Sequence, residues 1–437
     1  MNESVSDSPV RRALKNFSVL MGGRAVAGVL SVVSLTLVAR FLGPVEFGLL
    51  VVVHTTAVVV RGLLNFKPSD TVVRYGVAPF DDDDHRELNH LLRFTLALDV
   101  ATASLAALCM MLVMLLAGPA LGLPEELAMP AVLYGLVLLA SGSGTARGVL
   151  RVAGRFHAMG VQQNVGPLIR LAGVAAVYLA EGGLLGYLMV WAVAFAAEHL
   201  FMNVRGWLEL KRRGVRPGRP TLAGAKRRFP GLWGFVGTLY WQSNLDLAQR
   251  HGLILLAGVL LGPAGAGMFR VAREFADVLA KPVIVVRQAV FPDFARLWRE
   301  RDPRFKTLYW RLGLYGGLIA AVVVGLVGLY AGELLEALVG EEYVQGAALL
   351  VWLMVAGALE LIGAALRPAA YAMGAATGAL RVQIVTAVCH VSAFAVLVPW
   401  LGLAGAGIAA ACSGAIALAG MVALVLTRAD QDPGAAA

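Results

Sequence analysis

Apolar residues in this chain come in blocks of about 20 or more, the length a helix needs to cross a bilayer core. They fall near residues 17–39, 45–66, 91–117, 128–150, 160–181 and 183–205, and again near 230–260, 264–291, 307–331, 345–373, 378–399 and 402–427. The pattern predicts an all-α integral membrane protein with about twelve transmembrane helices. One stretch breaks the apolar rhythm. Between Tyr240 and Lys281 the blocks carry Asp246, Arg250, His251, Arg270, Arg273, Glu274, Asp277 and Lys281. At about 100° per residue, Arg270, Glu274, Asp277 and Lys281 share an arc of roughly 60° on one helix face. A charge at the bilayer centre costs at least about 2.5 kcal/mol, so that face must turn from lipid toward a polar interior. The other spans then read as walls of a central cavity.

Composition supports the membrane class. The 437 residues are 59% hydrophobic and 15% charged, where a soluble domain carries about 25% charged residues. The net charge of +9 therefore says little about nucleic acid, because basic residues here mostly set orientation. Cys109, Cys389 and Cys412 all fall inside apolar spans without CxxC spacing, which suggests neither a disulfide framework nor a zinc site. The polar stretch Met1 to Asn16 ends basic, and the apolar run after it is too long for a signal-peptide core. It reads as an uncleaved first helix.

Loop charges test the span count. Loops on one side hold Arg11, Arg12 and Lys15, then Lys67, Arg74 and Arg86, then Arg147, Arg151 and Arg155. The same side takes the basic stretch 206–229, then Arg287 to Lys306, then Arg367 and Arg381, and last Arg428. Arg40 is the clear base of the opposite loops, whose other charges are acidic, such as Glu125, Glu181, Glu333 and Glu341. The positive-inside bias places both termini in the cytoplasm. Asp81 to Asp84 reads as a solvated turn or a helix N-terminus, with a cation site as the alternative. Phe294 to Phe305 reads as a short interfacial helix.

Two echoes divide the spans. Leu42-Gly43-Pro44, after the first span, recurs as Leu261-Gly262-Pro263, after the seventh. Arg147 to Gln163 recurs at almost the same offset as Arg367 to Gln383, with Gly154 meeting Gly374. Concordant offsets argue for two six-helix halves of like orientation, a transporter architecture with its site between the repeats. The expected domains are a bundle over 1–205, a basic cytoplasmic linker over 206–229 and a second bundle over 230–437.

Local motifs carry a resemblance. Ala39-Arg40-Phe41-Leu42-Gly43-Pro44-Val45-Glu46-Phe47-Gly48 resembles the step after the first helix of polysaccharide-exporting flippases. Leu260 to Phe269, Phe291-Pro292, Gly340-Glu341-Glu342-Tyr343 and Leu401 to Ala409 resemble later landmarks of the same group. The chain is similar along its length to the Wzx-type O-antigen and exopolysaccharide flippases of the multidrug/oligosaccharidyl-lipid/polysaccharide exporter superfamily. The resemblance implies two six-helix bundles around a central cavity and alternating access. It also implies export of undecaprenyl-diphosphate-linked oligosaccharide from the cytoplasmic to the periplasmic leaflet of the inner membrane. Membrane lipids, a polysaccharide polymerase and glycosyltransferases are the expected partners, with no nucleic acid, and a monomeric chain is expected. The two further helices usual in lipid II flippases have no counterpart here.

Candidate residues follow from the charge of such a substrate. Guanidinium groups pair with phosphate oxygens in a bidentate fork and keep their proton when partly buried. Arg24, about 10 Å into the first span, is a phosphate contact or snorkels to the headgroups. Arg270 and Arg273 are phosphate contacts or ion pairs with Glu274 and Asp277, one turn on. Lys281 and Arg250 complete the second-half candidates. His54 and Arg61 are cavity residues, or packing and snorkelling residues, of the second span. Asp99 and Asp246, with Glu274 and Asp277, are candidates for coupling to a proton or sodium ion, against static partnership with an arginine. Arg170 and Arg311 divide between cavity and snorkelling roles, and Glu198-His199 and Glu360 read as structural pairs or lip residues. No cofactor is expected, and neither a phosphate-binding GxxxxGK[ST] loop nor HExxH occurs, so no enzyme is expected. Two alternatives stand beside export. One is a cation-coupled antiporter of drugs or organic cations. The other is a membrane scaffold that docks glycosyltransferases on the basic linker.

Overall fold

A computed structural model describes residues 9–247 and 251–429. Its side chains are described from residue 22 onward, save 226, 242, 245–246, 278–282, 284–285, 288–289 and 292. Among the described residues there is no strand. The helices are α1 (Pro9–Leu63), α2 (Pro68–Asp81), α3 (His85–Ala117), α4 (Glu125–Tyr134), α5 (Gly144–Val152), α6 (Phe156–Leu179) and α7 (Leu184–Arg212). A four-residue α8 (Ala225–Arg228) follows, then α9 (Leu232–Leu247), α10 (Leu253–Arg299) and α11 (Arg304–Val339). The chain closes with α12 (Ala347–Ile362), α13 (Leu366–Ala372) and α14 (Ala376–Ala429).

The all-α membrane fold is therefore the one the apolar blocks predict. Among the described residues, eight helical stretches are long and apolar enough to cross a bilayer. Gly22–Asp81 and Ala376–Arg428, of 60 and 53 residues, are each long enough for two crossings. Glycine kinks break both, at Gly43 and Gly402. A third kink, at Gly262, breaks α10.

The repeat survives as backbone geometry. Gly43 has φ 69° and ψ 172°, and Gly262 has φ 73° and ψ −179°. These are the same turn, in a left-handed region that only glycine enters without strain. Gly154 and Gly374 also match, with φ of 67° and 73°, each just before a long helix. A further echo was not legible in the side chains. Asp83 and Arg301 both take φ 53°, and the carboxylate of the next residue, Asp84 or Asp302, accepts from the opening amides of the following helix. Asp84 Oδ1 accepts from the Arg86 and Glu87 amides at 3.1 and 2.9 Å, and Asp302 Oδ1 from the Arg304 amide at 2.8 Å. Four orphan donors open every helix, and a short carboxylate satisfies them best. The acidic run thus ends in a helix cap. The Arg304 side chain and amide also hold the Asp302 carboxyl below its usual range.

Two expected boundaries move. The loop 67–86 contains α2, started by Pro68 at the first helical position, where its missing N–H costs nothing. Phe294–Arg299 is the end of α10 rather than a separate interfacial helix. Within 206–229, the first residues continue α7 to Arg212.

The chain packs as two compact units. One comprises Met1–Leu42 with Leu49–Leu255, the other Gly43–Gly48 with Leu256–Ala437. In the first unit, Val72, Phe80, Leu88, Leu92, Val149 and Leu210 form a core joining α2, α3, α5 and α7. Small residues set the helix spacing. A Cβ on Gly148 would lie 2.6 Å from the Val72 Cβ, and one on Gly206 would lie 2.6 Å from the Ala146 Cβ. In the second unit, Phe294, Phe305, Tyr309, Ala369 and Val425 close the corresponding core among α10, α11, α13 and α14.

Candidate functional site

The first unit holds a string of polar side chains inside its apolar helices. It begins at Asp99 of α3, which is 1% exposed. Its Oδ1 accepts from the Gly144 amide at 3.1 Å and its Oδ2 from the Thr145 amide at 2.6 Å. Those are the first amides of α5, so the carboxylate lies at a helix N-terminus, where backbone donors and dipole both favour it. Close approach needs Gly144, whose Cβ would fall 2.9 Å from Asp99 Oδ1.

Arg61 of α1 is buried within electrostatic reach of Asp99. Its two terminal nitrogens donate to the carbonyls of Leu64 and Ser141, each at 3.3 Å. Arg147 of α5 lies next along the string, within reach of both Asp99 and Glu198. Glu198 of α7 accepts from Gln162 Nε2 of α6 at 2.6 Å, and it feels Arg170 as well as Arg147. Arg170 of α6 stands with its guanidinium carbon 5.8 Å from the Trp191 ring centre. It also acts on Tyr134, whose hydroxyl shares a 2.8 Å hydrogen bond with His54 Nδ1. His199, next to Glu198 in the chain, places Nδ1 2.9 Å from the Phe195 carbonyl.

Six of the residues singled out in the sequence, His54, Arg61, Asp99, Arg170, Glu198 and His199, thus belong to one network. Sequence reasoning missed what connects them: Arg147, Gln162 and the Glu198 contact. A signal existed. Arg147 opens the repeated segment, and Glu198, in the apolar middle of α7, needs a partner from another helix. The repeat counterpart of Arg147, Arg367, lies within reach of Arg287, whose Nη2 meets Glu360 Oε1 at 3.2 Å.

The remaining candidates lie elsewhere. Arg24 of α1 is exposed, while its neighbour Gly23 sits against the Gly160 backbone of α6. Arg270 of α10 pairs with Glu274 at 2.8 Å, the i,i+4 contact expected as the alternative to a phosphate contact. Arg273 and Asp277 are part-buried on the same helix, and Arg273 is within reach of His390 on α14. Arg250 lies outside the described residues, as do the side chains of Asp246 and Lys281.

Chemically the string is cationic and hydrogen-bonding. Arg61, Arg147, Arg151 and Arg170 face Asp70, Asp99 and Glu198, with Arg151 on Asp70 at 2.6 Å. Guanidinium groups present flat forks of donors to oxyanions.

The sequence of residues 37–348 matches a family described as polysaccharide biosynthesis protein. The chain belongs to that family. Among curated relatives, Inner membrane protein YghQ of Escherichia coli strain K12 is 27% identical over 357 residues, covering 78% of this chain and 96% of that protein. Solved structures share the fold. An inward-facing multidrug resistance MATE family transporter of the MOP superfamily superposes with a TM-score of 0.68 at 16% identity, covering 92% of this chain and 94% of its own. Lipid II flippase MurJ, in an inward closed conformation, superposes with a TM-score of 0.68 at 11% identity, covering 94% and 89%. This family member therefore has the fold of MOP-superfamily membrane transporters and a relative in the bacterial inner membrane.

Proposed function

We propose that the chain is a flippase for undecaprenyl-diphosphate-linked oligosaccharide. It moves the lipid from the cytoplasmic to the periplasmic leaflet by alternating access, in O-antigen, capsule or exopolysaccharide synthesis. It performs no covalent chemistry. Both termini face the cytoplasm, and a proton or sodium ion drives the cycle. The observation carrying this reading is the run of guanidinium groups, Arg61 buried and Arg147 and Arg170 part-buried, within an apolar unit of a polysaccharide biosynthesis family member. A buried cation is expensive to maintain, and an anionic substrate gives it a use. Arg147 and Arg170 are the first contacts to test, with Arg24, exposed on an otherwise apolar span, and Arg270, paired with Glu274, after them.

The experiment is complementation of a strain lacking the gene. Arg147→Ala and Arg170→Ala abolish surface polysaccharide while each protein still reaches the membrane. Normal polysaccharide from both variants overturns the assignment. The fold likeness to a multidrug transporter, equal in TM-score to the flippase likeness, favours one second reading, antiport of organic cations. Vesicles loaded with a fluorescent organic cation separate the two, because a flippase leaves its gradient unchanged.

A further inference from the structure

The second unit contains an apolar groove that the polar string leaves unused. It has a volume of about 350 Å³ and runs between α11 and α14, both of which pack on α12. Trp310, Leu314 and Leu318 form one wall, Leu418 and Val422 the other, and Ile362 lies at the base. Small-molecule sites span about 300–1,000 Å³. The groove owes its shape to Gly313 and Gly317. A Cβ at Gly313 would come within 3.3 Å of the Ile362 carbonyl, and one at Gly317 within 3.5 Å of Ile362 Cγ1. These two glycines are notches one turn apart, about 6 Å along the helix, set beside Leu314 and Leu318.

The charges at one end say what occupies it. Lys306 lies four residues before Trp310 and seven before Gly313, on the groove face of α11. Arg311 is exposed beside Trp310, and Arg428 ends α14 six residues past Val422, about 9 Å along the axis. Trp310 is itself exposed, as an interfacial anchor is. The groove therefore starts about one turn inside a basic, aromatic belt, and its ligand is a hydrocarbon chain ending in an anionic phosphate. Positive-inside bias assigns that belt to the cytoplasmic leaflet. The notches choose between chains. A straight acyl chain leaves them empty, and an empty notch forfeits dispersion contacts. A methyl-branched chain fills them.

We propose that this groove holds the polyisoprenoid chain of the lipid-linked substrate while its diphosphate lies near Lys306 and Arg311. The proposal rests on the flippase reading and adds where the tail is gripped. Gly317→Leu fills a notch. Gly325→Leu, on the same helix but outside the groove and with nothing within 4 Å of its Cβ, is the folding control.

The full chain in proteoliposomes is given the same oligosaccharide diphosphate on an undecaprenyl chain or on a two-isoprene chain. Wild type and Gly325→Leu move the long-chain substrate faster. Gly317→Leu loses about tenfold on that substrate, the effect of removing one well-packed branch or two, and keeps its rate on the short one. In a second measurement, undecaprenyl phosphate bearing a diazirine on its chain labels wild-type residues 310–318, and unlabelled undecaprenyl phosphate suppresses the label. Unchanged long-chain transport by Gly317→Leu overturns the proposal. So does labelling suppressed equally well by phosphatidylglycerol, which means annular lipid, or a dimer cross-link through Gly317→Cys, which means a second copy occupies the groove. If wild type transports neither substrate, the flippase reading fails, and the labelling arm still decides whether the groove selects isoprenoid.

Discussion

Gly48 lies against the backbone of Pro263, so close that a Cβ on Gly48 would overlap the Pro263 carbonyl. The contact is reciprocal. Gly267 is the repeat counterpart of Gly48, as Pro263 is of Pro44. Gly267 lies in turn against the carbonyl of Pro44, and a Cβ on it would come within 2.7 Å of that oxygen. The two copies of the repeated Leu-Gly-Pro motif thus pack on each other through the glycines that follow them.

That reciprocity makes a prediction about size. Gly48→Ala and Gly267→Ala each destabilise the protein by about 1–3 kcal/mol, the cost of overpacking a tight contact. Gly325→Ala, within α11 and with nothing within 4 Å of its Cβ, instead gains about 0.5–1 kcal/mol from helix propensity. Denaturant midpoints of the three variants in one detergent check the sign of each.

Asp99 offers a second test, because its two oxygens are both taken by α5 amides. Asp99→Asn turns one acceptor into a donor facing an amide N–H. The expected loss is about 1–3 kcal/mol of stability, visible as a lower melting temperature of the purified protein. Were Asp99 instead the group that couples transport to an ion, the variant would keep its melting temperature and lose its ion dependence.

Glu209 anchors the turn between α5 and α6 to α7. It is buried at 4% exposure, and it draws Arg155 Nε to 3.0 Å, Arg213 Nε to 3.7 Å and Arg212 NH1 to 3.9 Å. Glu209→Ala removes the shared partner of three cations and costs about 1–2 kcal/mol, kept modest because the arginines reach water. Arg155→Ala costs under about 1 kcal/mol, because two partners remain. Limited proteolysis at 153–156 reads the difference: faster cutting in Glu209→Ala, near wild-type cutting in Arg155→Ala.

The glycine kinks and the spans were legible because each depends on local covalent chemistry. Blocks of apolar residues predict α1, α3, α7, α11 and α14, since an isolated helix satisfies its own backbone in lipid. Gly43 and Gly262 announced themselves through the proline that follows. Helix α2 was hidden by Lys67, Asp70 and Arg74, whose charges read as loop. Those charges are tolerated because Asp70 pairs with Arg151 from α5, a contact between positions far apart in the chain.

The sequence by itself determined that the chain is helical, lives in a membrane and repeats itself, because these follow from periodicity, composition and the restricted dihedrals of glycine and proline. Only the tertiary structure decided which charges meet. Arg61, Asp99, Arg147, Gln162 and Glu198 come from five different helices, and the partner of a buried charge is set by helix packing rather than by neighbours in the chain. The Arg270–Glu274 pair, by contrast, lies within one turn of a single helix and was visible from spacing alone.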